Sequence, residues 1–481
     1  MLRSILERLR ETIPLGLLVI LVLAVVSTVY ILLRSDKEPE GRVMWTFVRQ
    51  RPAVYRELIE KMDLKGEDRM RVELVEYSAL RRRLQSGFFS GTPLADVVEV
   101  ERTMASATWR GPLEAVGFVD LTERIREEGL LERINRPSFS PWTNRGHIFG
   151  LPGDVHPILL CYRADVFEAA GIDVEELTTW DRFFEATQVL AVDFDGDGSI
   201  DQYPFELQET EGSAITALML QAGPGYFNEQ EQPIIDNPVN VRVLAKLANW
   251  AAAPEKLTGD LDLYTGAGHR LRAEGFVLSW IVPDWRSIQM ELYIPSLAGK
   301  LKLMPLPAWE EGGRRTSCWG GTMLGFPKSA GNFEKNWEFA KRLYISRELA
   351  VRSWRTFGVL TPVKEFWDDP VFDEPNAYYS NQPKGRLFIE QAEHVPVRTS
   401  SPFEPLALRE VANALSALIR YANDHRIDDA DALMDRAGEL LSKAQHNVVL
   451  QMERNVFLSR SGGFQPPNVT TIWRRFPTAA P

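Results

Sequence analysis

Three short apolar runs alternate with helical patterns early in the chain, and this order limits the folds that are open to it. The runs at residues 43–47, 72–77 and 95–100 have the length and composition of strands. Between them, apolar residues recur at spacings of three and four, as at Leu58 and Met62. Strand, helix, strand, helix and strand in succession predict a parallel sheet covered by helices, and hence an α/β fold.

In sheets of this kind, ligands bind at the carboxyl ends of the strands. Arg49, Tyr77 and Glu101 each come just after a predicted strand, so we expect them at a binding site. The chain has 481 residues, which is too long for one ordinary core. Two or more lobes are therefore expected.

Charge and composition exclude several classes of site. The net charge of -11 argues against a nucleic-acid partner, because phosphate binding needs a basic surface. Cys161 and Cys318 belong to no paired-cysteine motif, and the histidines form no metal-binding motif. The sequence therefore predicts no zinc or iron site and no required cofactor.

Residues 13–33 form an apolar run without a single charge. Its length suits a transmembrane helix and exceeds that of the apolar region of a cleavable secretory signal. We expect an uncleaved signal anchor here, after a short head of residues 1–12 and before a linker of residues 34–41. The anchor predicts attachment to the cytoplasmic (inner) membrane through a single pass.

Basic residues are equally frequent on the two sides of this run, so charge bias alone leaves the orientation open. Because the head is too short to hold a domain, we expect the globular body in the periplasm or extracellular space. A body that faces the cytosol is the alternative.

The acidic stretch "DFDGDGSIDQY" at residues 193–203 is similar to the first nine positions of a calcium-binding EF-hand loop. The expected oxygen ligands are the side chains of Asp193, Asp195, Asp197 and Asp201, and the backbone carbonyl of Ser199. The twelfth position is Pro204, which cannot supply the usual carboxylate, and Glu206 could replace it only if the chain curled back. A structural calcium ion and a solvated Asp-Gly turn both stay open.

The central part of the chain carries a G-x-P-x-D segment, a Tyr-x-x-Asp-x-Phe segment, an Ala-Gly-Ile turn and a Thr-Trp helix start. These are Gly150, Pro152 and Asp154, then Tyr162, Asp165 and Phe167, then Ala170, Gly171 and Ile172, and finally Thr179 and Trp180. The segment "WGGTMLGFPKS" follows at residues 319–329. In this order the segments resemble the family 1 extracellular solute-binding proteins, the sugar-capturing subunits of ABC importers, which include the maltose-binding protein.

The resemblance implies a two-lobed periplasmic-binding-protein-like fold of type II, with a sugar in the cleft and hinge closure around it. It assigns residues 42–153 and 320–358 to the first lobe, and residues 154–319 and 359–455 to the second. The proline-rich tail of residues 456–481 has no counterpart in the family. The implied function is capture of a carbohydrate and its delivery to an ABC transporter permease.

Two other functions stay open from the sequence. An anchored sugar sensor without transport is one, and an enzyme that acts on glycosides is the less favoured other. Many acidic residues make pairs of carboxylates easy to find, but no nucleophile motif, phosphate loop or dinucleotide fingerprint is present.

A sugar site needs flat aromatic rings for C–H faces and polar groups for hydroxyl edges. Trp285 and Trp319 are the expected stacking residues, and Gly320 and Gly321 would let backbone amides approach the ligand. Glu101 and Asp154 are the expected hydroxyl acceptors, with a helix cap and a structural turn as their alternative roles. Weaker candidates are Tyr77, Tyr226, Arg49 and Arg355.

Overall fold

The structure is a computed structural model that describes residues 15–33, 41–252, 256–262 and 264–455. The predicted head, nearly all of the predicted linker and the proline-rich tail of residues 456–481 lie outside these ranges. The helix α1 (Leu15–Leu33) covers most of the predicted anchor. Within the residues that the structure describes, no helix is long and apolar enough to cross a membrane.

The strands are β1 (Arg42–Thr46), β2 (Met70–Leu74), β3 (Val97–Glu101), β4 (Thr143–Asn144), β5 (His147–Ile148), β6 (Leu151–Pro152), β7 (Ile158–Arg163), β8 (Phe205–Glu206), β9 (Thr258–Gly259), β10 (Ser279–Pro283), β11 (Leu301–Pro305) and β12 (Thr322–Gly325). The α-helices that follow α1 are α2 (Arg51–Lys61), α3 (Tyr77–Ser90), α4 (Arg102–Ser106), α5 (Thr122–Glu127), α6 (Leu130–Arg133), α7 (Arg136–Phe139), α8 (Ala164–Ala169), α9 (Trp180–Thr187), α10 (Gly212–Ala222), α11 (Pro238–Ala251), α12 (Gly266–Glu274), α13 (Asp284–Tyr293), α14 (Phe333–Tyr344), α15 (Arg347–Phe357), α16 (Lys384–Ala392), α17 (Glu404–His425) and α18 (Met434–Glu453).

The first sheet has the strand order β2-β1-β3-β12-β6. The three strands predicted from the sequence pair in parallel, with β1 between β2 and β3, as expected. β12 and β6 extend this sheet by antiparallel pairing. β2 ends at Leu74, earlier than predicted, because Glu76 caps α3 by accepting hydrogen bonds from the amides of Ser78 (3.0 Å) and Ala79 (2.9 Å).

The second sheet is antiparallel, and β7 lies between β10 and β11. Alternate residues of β7 face two different apolar cores, as the two-residue period of a strand requires. Ile158 and Leu160 pack in one core, whereas Leu159 and Cys161 pack in the other. A sheet with a core on each face is a three-layer unit.

The first sheet is also covered on both faces, since Met44 and Val97 pack in one core and Val98 and Val100 in another. Each sheet, with the helices on its two faces, forms one lobe, called here the first and the second lobe. The helices α17 and α18 pack on α11 in the second lobe. Their stripes of apolar residues are core faces there.

The chain passes between the two sheets more than once. It leaves β6 of the first sheet through residues 153–157 to enter β7 of the second, and it returns through residues 317–321 to β12. A third segment, residues 359–361, lies against the first one, because the amide of Val155 donates to the carbonyl of Leu360 (3.3 Å). These crossing segments lie under the space between the lobes.

Candidate functional site

A cavity of about 480 Å³ lies between the two lobes. The first lobe contributes residues just after β1 and β3, and the second lobe contributes one face of α13. The crossing segments form its floor. The lining residues include Phe47, Gln50, Tyr77, Glu101 and Thr103 from the first lobe, Trp285, Gln289, Leu292 and Tyr293 from the second, and His156, Trp319, Gly320 and Gly321 from the floor.

Six of the ten predicted site residues line this cavity, namely Tyr77, Glu101, Trp285, Trp319, Gly320 and Gly321. The four others lie elsewhere. Asp154 is 4% exposed beneath the floor, and Tyr226 is buried in the second lobe, where its hydroxyl accepts a hydrogen bond from Thr216 (2.9 Å). Arg49 is exposed and does not line the cavity, and Arg355 pairs with Glu374 on the surface.

Glu101 lines the cavity and also caps a helix, the two roles that the sequence suggested for it. It precedes α4, and its Oε2 accepts hydrogen bonds from the backbone amide of Thr103 (2.8 Å) and from the hydroxyl of Tyr77 (3.1 Å). Its Oε1 accepts no hydrogen bond from the residues that the structure describes. Burial and the neighbouring carboxylate raise the pKa of Tyr77 to about 12, so its hydroxyl stays protonated and keeps donating.

The two predicted tryptophans are joined to each other. The indole Nε1 of Trp285 donates to the backbone carbonyl of Trp319 (2.9 Å), and their rings meet edge to face with centroids 5.9 Å apart. Trp319 is only 7% exposed, so it cannot offer a full ring face to a ligand. Trp285 is less buried and remains the better stacking residue.

The backbone conformation of the turn after Trp319 requires glycine. Gly320 and Gly321 have φ angles of +113° and +132°, which L side chains rarely adopt. A Cβ at Gly320 would lie 2.8 Å from Cδ2 of His156 and 3.1 Å from Nε1 of Trp285. The turn therefore lets the floor approach Trp285 closely.

A chain of buried ionic contacts runs under the floor from the first lobe to the second. Arg51 bonds Glu99 of β3 and donates to the hydroxyl of Thr322 (3.0 Å), and its Nη2 lies 3.6 Å from Asp154. Asp154 accepts from the backbone amide of Thr322 (2.9 Å) and lies 3.1 Å from Nε2 of His156. These contacts occupy Asp154, which explains why it does not face the cavity.

His156 completes this chain, since its Nδ1 lies 2.6 Å from Oδ1 of Asp284 at the start of α13. Burial alone would lower the pKa of His156, but Asp154 and Asp284 outweigh burial and raise the pKa to about 10. Burial alone would likewise raise the pKa of Asp154, but His156 and Arg51 lower it to about 2. The imidazole is therefore a cation held between two carboxylates.

A second buried ion pair joins the lobes beside the cavity. Arg102 of α4 pairs with Glu404 at the start of α17, and both side chains are 8% exposed. Arg398 lies nearby, where its Nη2 donates to the carbonyl of Gly320 (2.8 Å). The Arg102 contact ties the segment after β3 to the long C-terminal helices of the second lobe.

Sequence reasoning missed several cavity residues. Phe47 packs edge to face on Tyr77 with centroids 5.7 Å apart, and His156 forms part of the floor. Leu292 and Tyr293 could have been found, because they follow Trp285 on α13 at spacings of seven and eight and so share its face. No local sequence pattern predicts the position of His156 in the floor, because its partner Asp284 is distant in the sequence.

The acidic loop lies outside the cavity. Ligand oxygens of Asp193, Asp195 and Asp197 lie within 4.8 Å of one another, whereas Asp201 accepts from the amide of Phe194 (2.8 Å) and is not in that group. Asp193 accepts from the amides of Gly198 (2.8 Å) and Gly196 (2.7 Å), and these bonds lower its pKa. The loop is therefore folded partly by its own backbone amides.

Three converging carboxylates suit a hard cation such as calcium, with Asp193, Asp195 and Asp197 as its ligands. Glu206 cannot close this loop, because it is buried between Arg272 and Arg286 of the second lobe and bonds both. Ser199 donates its amide to Asp197 (2.7 Å). A calcium ion at this loop stays a prediction.

Comparison with known proteins finds relatives that are all described as binding proteins. The family described as "Bacterial extracellular solute-binding protein" matches residues 59–344. A curated arabinooligosaccharide-binding protein of Halalkalibacterium halodurans is 24% identical over 430 residues, covering 86% of this chain and 89% of the relative. A protein of the same name from Bacillus subtilis is 26% identical over 356 residues, covering 72% of this chain and 78% of the relative.

Among solved structures, the sugar-binding protein MalE of Xanthomonas citri superposes with a TM-score of 0.65 at 17% identity, covering 85% of this chain and 98% of that one. This similarity shows the fold, a two-lobed MalE-like arrangement of mixed α/β lobes. The family match spans more than half of the chain. The chain therefore belongs to the bacterial extracellular solute-binding protein family.

Proposed function

We propose that this protein captures a neutral oligosaccharide, of the arabinose-containing class named for its relatives, in the cavity between the lobes and delivers it to an ABC transporter permease. The observation that carries the proposal is the composition of the cavity. Trp285 offers an aromatic face, while Glu101 and the Gly320–Gly321 turn offer hydrogen-bonding groups. Both kinds of group are needed to hold a sugar.

The charges around the cavity favour a neutral ligand. Arg51, Arg102 and His156 line the cavity, yet each is already paired with buried carboxylates. Oε1 of Glu101 is a hydrogen-bond acceptor that sugar hydroxyls satisfy, since each hydroxyl donates one hydrogen bond. A sugar acid would bring a second negative charge close to Glu101 and find no unpaired cation among these three.

The acidic residues that line the cavity favour binding of a saccharide over its hydrolysis. Glycosidases place a pair of carboxyl groups on either side of the scissile bond. Among the described residues that line the cavity, Glu101 is the one acidic side chain. The curated relatives are binding proteins, which also supports capture rather than cleavage.

The proposal includes attachment to the cytoplasmic membrane through the N-terminal helix, with the lobes on the outer side. Two observations support it. The apolar run at residues 13–33 is free of charge, and within α1 the side chains of Ile20 and Leu23 are 64% and 60% exposed. Exposed apolar surface of this kind favours contact with lipid. Anchoring would hold the binding protein near its permease.

Titration of the full-length protein in detergent tests this proposal. Tryptophan fluorescence is followed while arabino-oligosaccharides or matching sugar acids are added, and the products are separated by chromatography afterwards. We expect saturable quenching by the neutral chains, weak or no response to the acids, and intact saccharides at the end. Quenching by none of the neutral chains would contradict the proposed ligand class, and cleavage products would contradict binding alone.

A further inference from the structure

The helix α13 carries aromatic residues at both of its ends along the cavity. Trp285 lies at its first turn, beside the floor, and Tyr293 is its last residue. Eight residues separate them, which corresponds to about 12 Å along a helix. A sugar ring is only about 5 Å across at ordinary bond lengths. The backbone positions of Trp285 and Tyr293 are therefore further apart along the helix than one sugar ring is wide.

The outer end of α13 is unusually exposed for its composition. Leu292 is 64% exposed and Tyr293 is 56% exposed, although both line the cavity. Large apolar side chains exposed next to each other in a folded protein commonly mark a binding surface. This surface is continuous with the cavity that already holds Trp285, so its occupant is best sought in the same ligand.

The ring of Tyr293 is held in place by a neighbouring helix. His269 of α12 stacks on it with ring centroids 5.0 Å apart and planes 21° from parallel. Burial, together with Arg272 and Arg286, lowers the pKa of His269, which keeps the imidazole neutral at neutral pH. A ring fixed in this way forms a flat surface whose ordering costs little when a ligand binds.

The first lobe also contributes aromatic residues to the cavity. Phe47 and Tyr77 of the first lobe pack edge to face and both line the cavity. A chain of sugars in the cavity would therefore meet aromatic rings from both lobes. Apolar sugar faces and aromatic rings are complementary surfaces.

We propose that Leu292, Tyr293 and His269 form an outer subsite that stacks a sugar unit of the same saccharide, beyond the unit bound near Trp285 and Glu101. The subsite makes the protein selective for chain length, since only chains of about three or more units reach from Trp285 to Tyr293. This inference rests on the proposed function, because it needs a saccharide in the inner cavity.

The test measures the affinity of the full-length protein for linear neutral arabino-oligosaccharides of increasing length. Wild type is compared with Tyr293→Ala, with Tyr293→Phe, which keeps the ring, and with Phe194→Ala, which removes an exposed aromatic side chain of the acidic loop. We expect Tyr293→Ala to lose about three- to tenfold in affinity for the longer chains and nothing for the disaccharide. Tyr293→Phe and Phe194→Ala should behave as wild type at every length.

Two results would overturn the subsite. An equal loss at all lengths would place Tyr293 in the inner site, and no loss at any length would leave the exposed surface to another occupant, such as the permease. In both cases wild type still binds saccharides, so the proposed function survives. Failure of wild type to bind any of the saccharides would overturn the proposed function and the subsite together.

Discussion

Glu101 uses its two carboxylate oxygens for different purposes. Oε2 is held by the amide of Thr103 and the hydroxyl of Tyr77, so the side chain is fixed before a ligand arrives. Glu101 lines the same cavity as Trp285, and its Oε1 has no hydrogen-bond partner among the described residues. A carboxylate that is already oriented loses little conformational freedom when a hydroxyl donates to it.

We expect Glu101→Gln to weaken saccharide binding about tenfold, or about 1.4 kcal/mol, because a charged acceptor is replaced by a neutral one. Protein stability should change little, since the amide oxygen can still cap α4. Calorimetric titration measures the affinity. Glu76→Gln is the matched control, because Glu76 also caps a helix but does not line the cavity, and an equal loss there would argue against a direct role of Glu101.

His156 is expected to contribute more to stability than to direct ligand contact. Replacement by Gln removes the cation between Asp154 and Asp284 and leaves two buried carboxylates without it. We expect His156→Gln to lower the free energy of unfolding by about 3–5 kcal/mol. Urea denaturation measures this loss. Replacement of the exposed His425 by Gln should leave the urea midpoint unchanged.

The pH dependence of stability gives a second readout for the same residue. The pKa of His156 is raised in the folded state to about 10, so its contribution is complete below the unfolded value of 6.5 and is lost as pH rises towards 10. Wild type should therefore lose stability between pH 7 and pH 9.5 more steeply than His156→Gln. If stability fell equally with pH in the two proteins, the imidazole of His156 would not be a cation with a raised pKa in the folded state.

At the scale of single elements, the turn at Gly320 and Gly321 decides how the floor meets α13. We expect Gly320→Ala to destabilise the protein by about 1–3 kcal/mol and to weaken saccharide binding. The added Cβ needs a strained backbone and displaces His156 or Trp285. Thermal unfolding and fluorescence titration measure the two effects. Gly331→Ala, where a Cβ meets nothing within 4 Å, should change neither.

Elements set by local pattern could be predicted from the sequence. β1, β2 and β3 follow from short apolar runs, and the first turn of α3 differs from prediction only because the cap at Glu76 was overlooked. The position of Trp285 in the cavity was predicted because it follows a strand, and that of Gly320 because it lies in a turn. These features depend on neighbours in the chain.

Roles that depend on distant partners could not be predicted. Asp154 was expected to bind the ligand, but Arg51, His156 and Thr322 bond it under the floor. Tyr226 was also placed in the site, yet its surroundings in the second lobe bury it. One sequence alone does not show which side chains a fold brings together from remote segments.

At the scale of the whole molecule, the pair formed by Arg102 and Glu404 connects the lobes and also neutralises a cation at the cavity wall. We expect Glu404→Gln to leave the charge of Arg102 unpaired, to lower stability, and to raise the affinity for acidic saccharides relative to neutral ones. The ratio of the two affinities is the quantity to measure, below the melting temperature. Glu310→Gln, which breaks an exposed pair with Arg242, should leave the ratio unchanged.

The position of β12 in the first sheet has a consequence for how the chain acquires its fold. β12 lies between β3 and β6, although almost half of the chain separates it from β3 in sequence. During synthesis, β3 therefore keeps an unpaired edge until the segments of the second lobe have been made. Such edges promote association with other chains, and contacts between remote segments slow folding. The sheet of the first lobe can therefore be completed only after residues 154–319 of the second lobe have been synthesised.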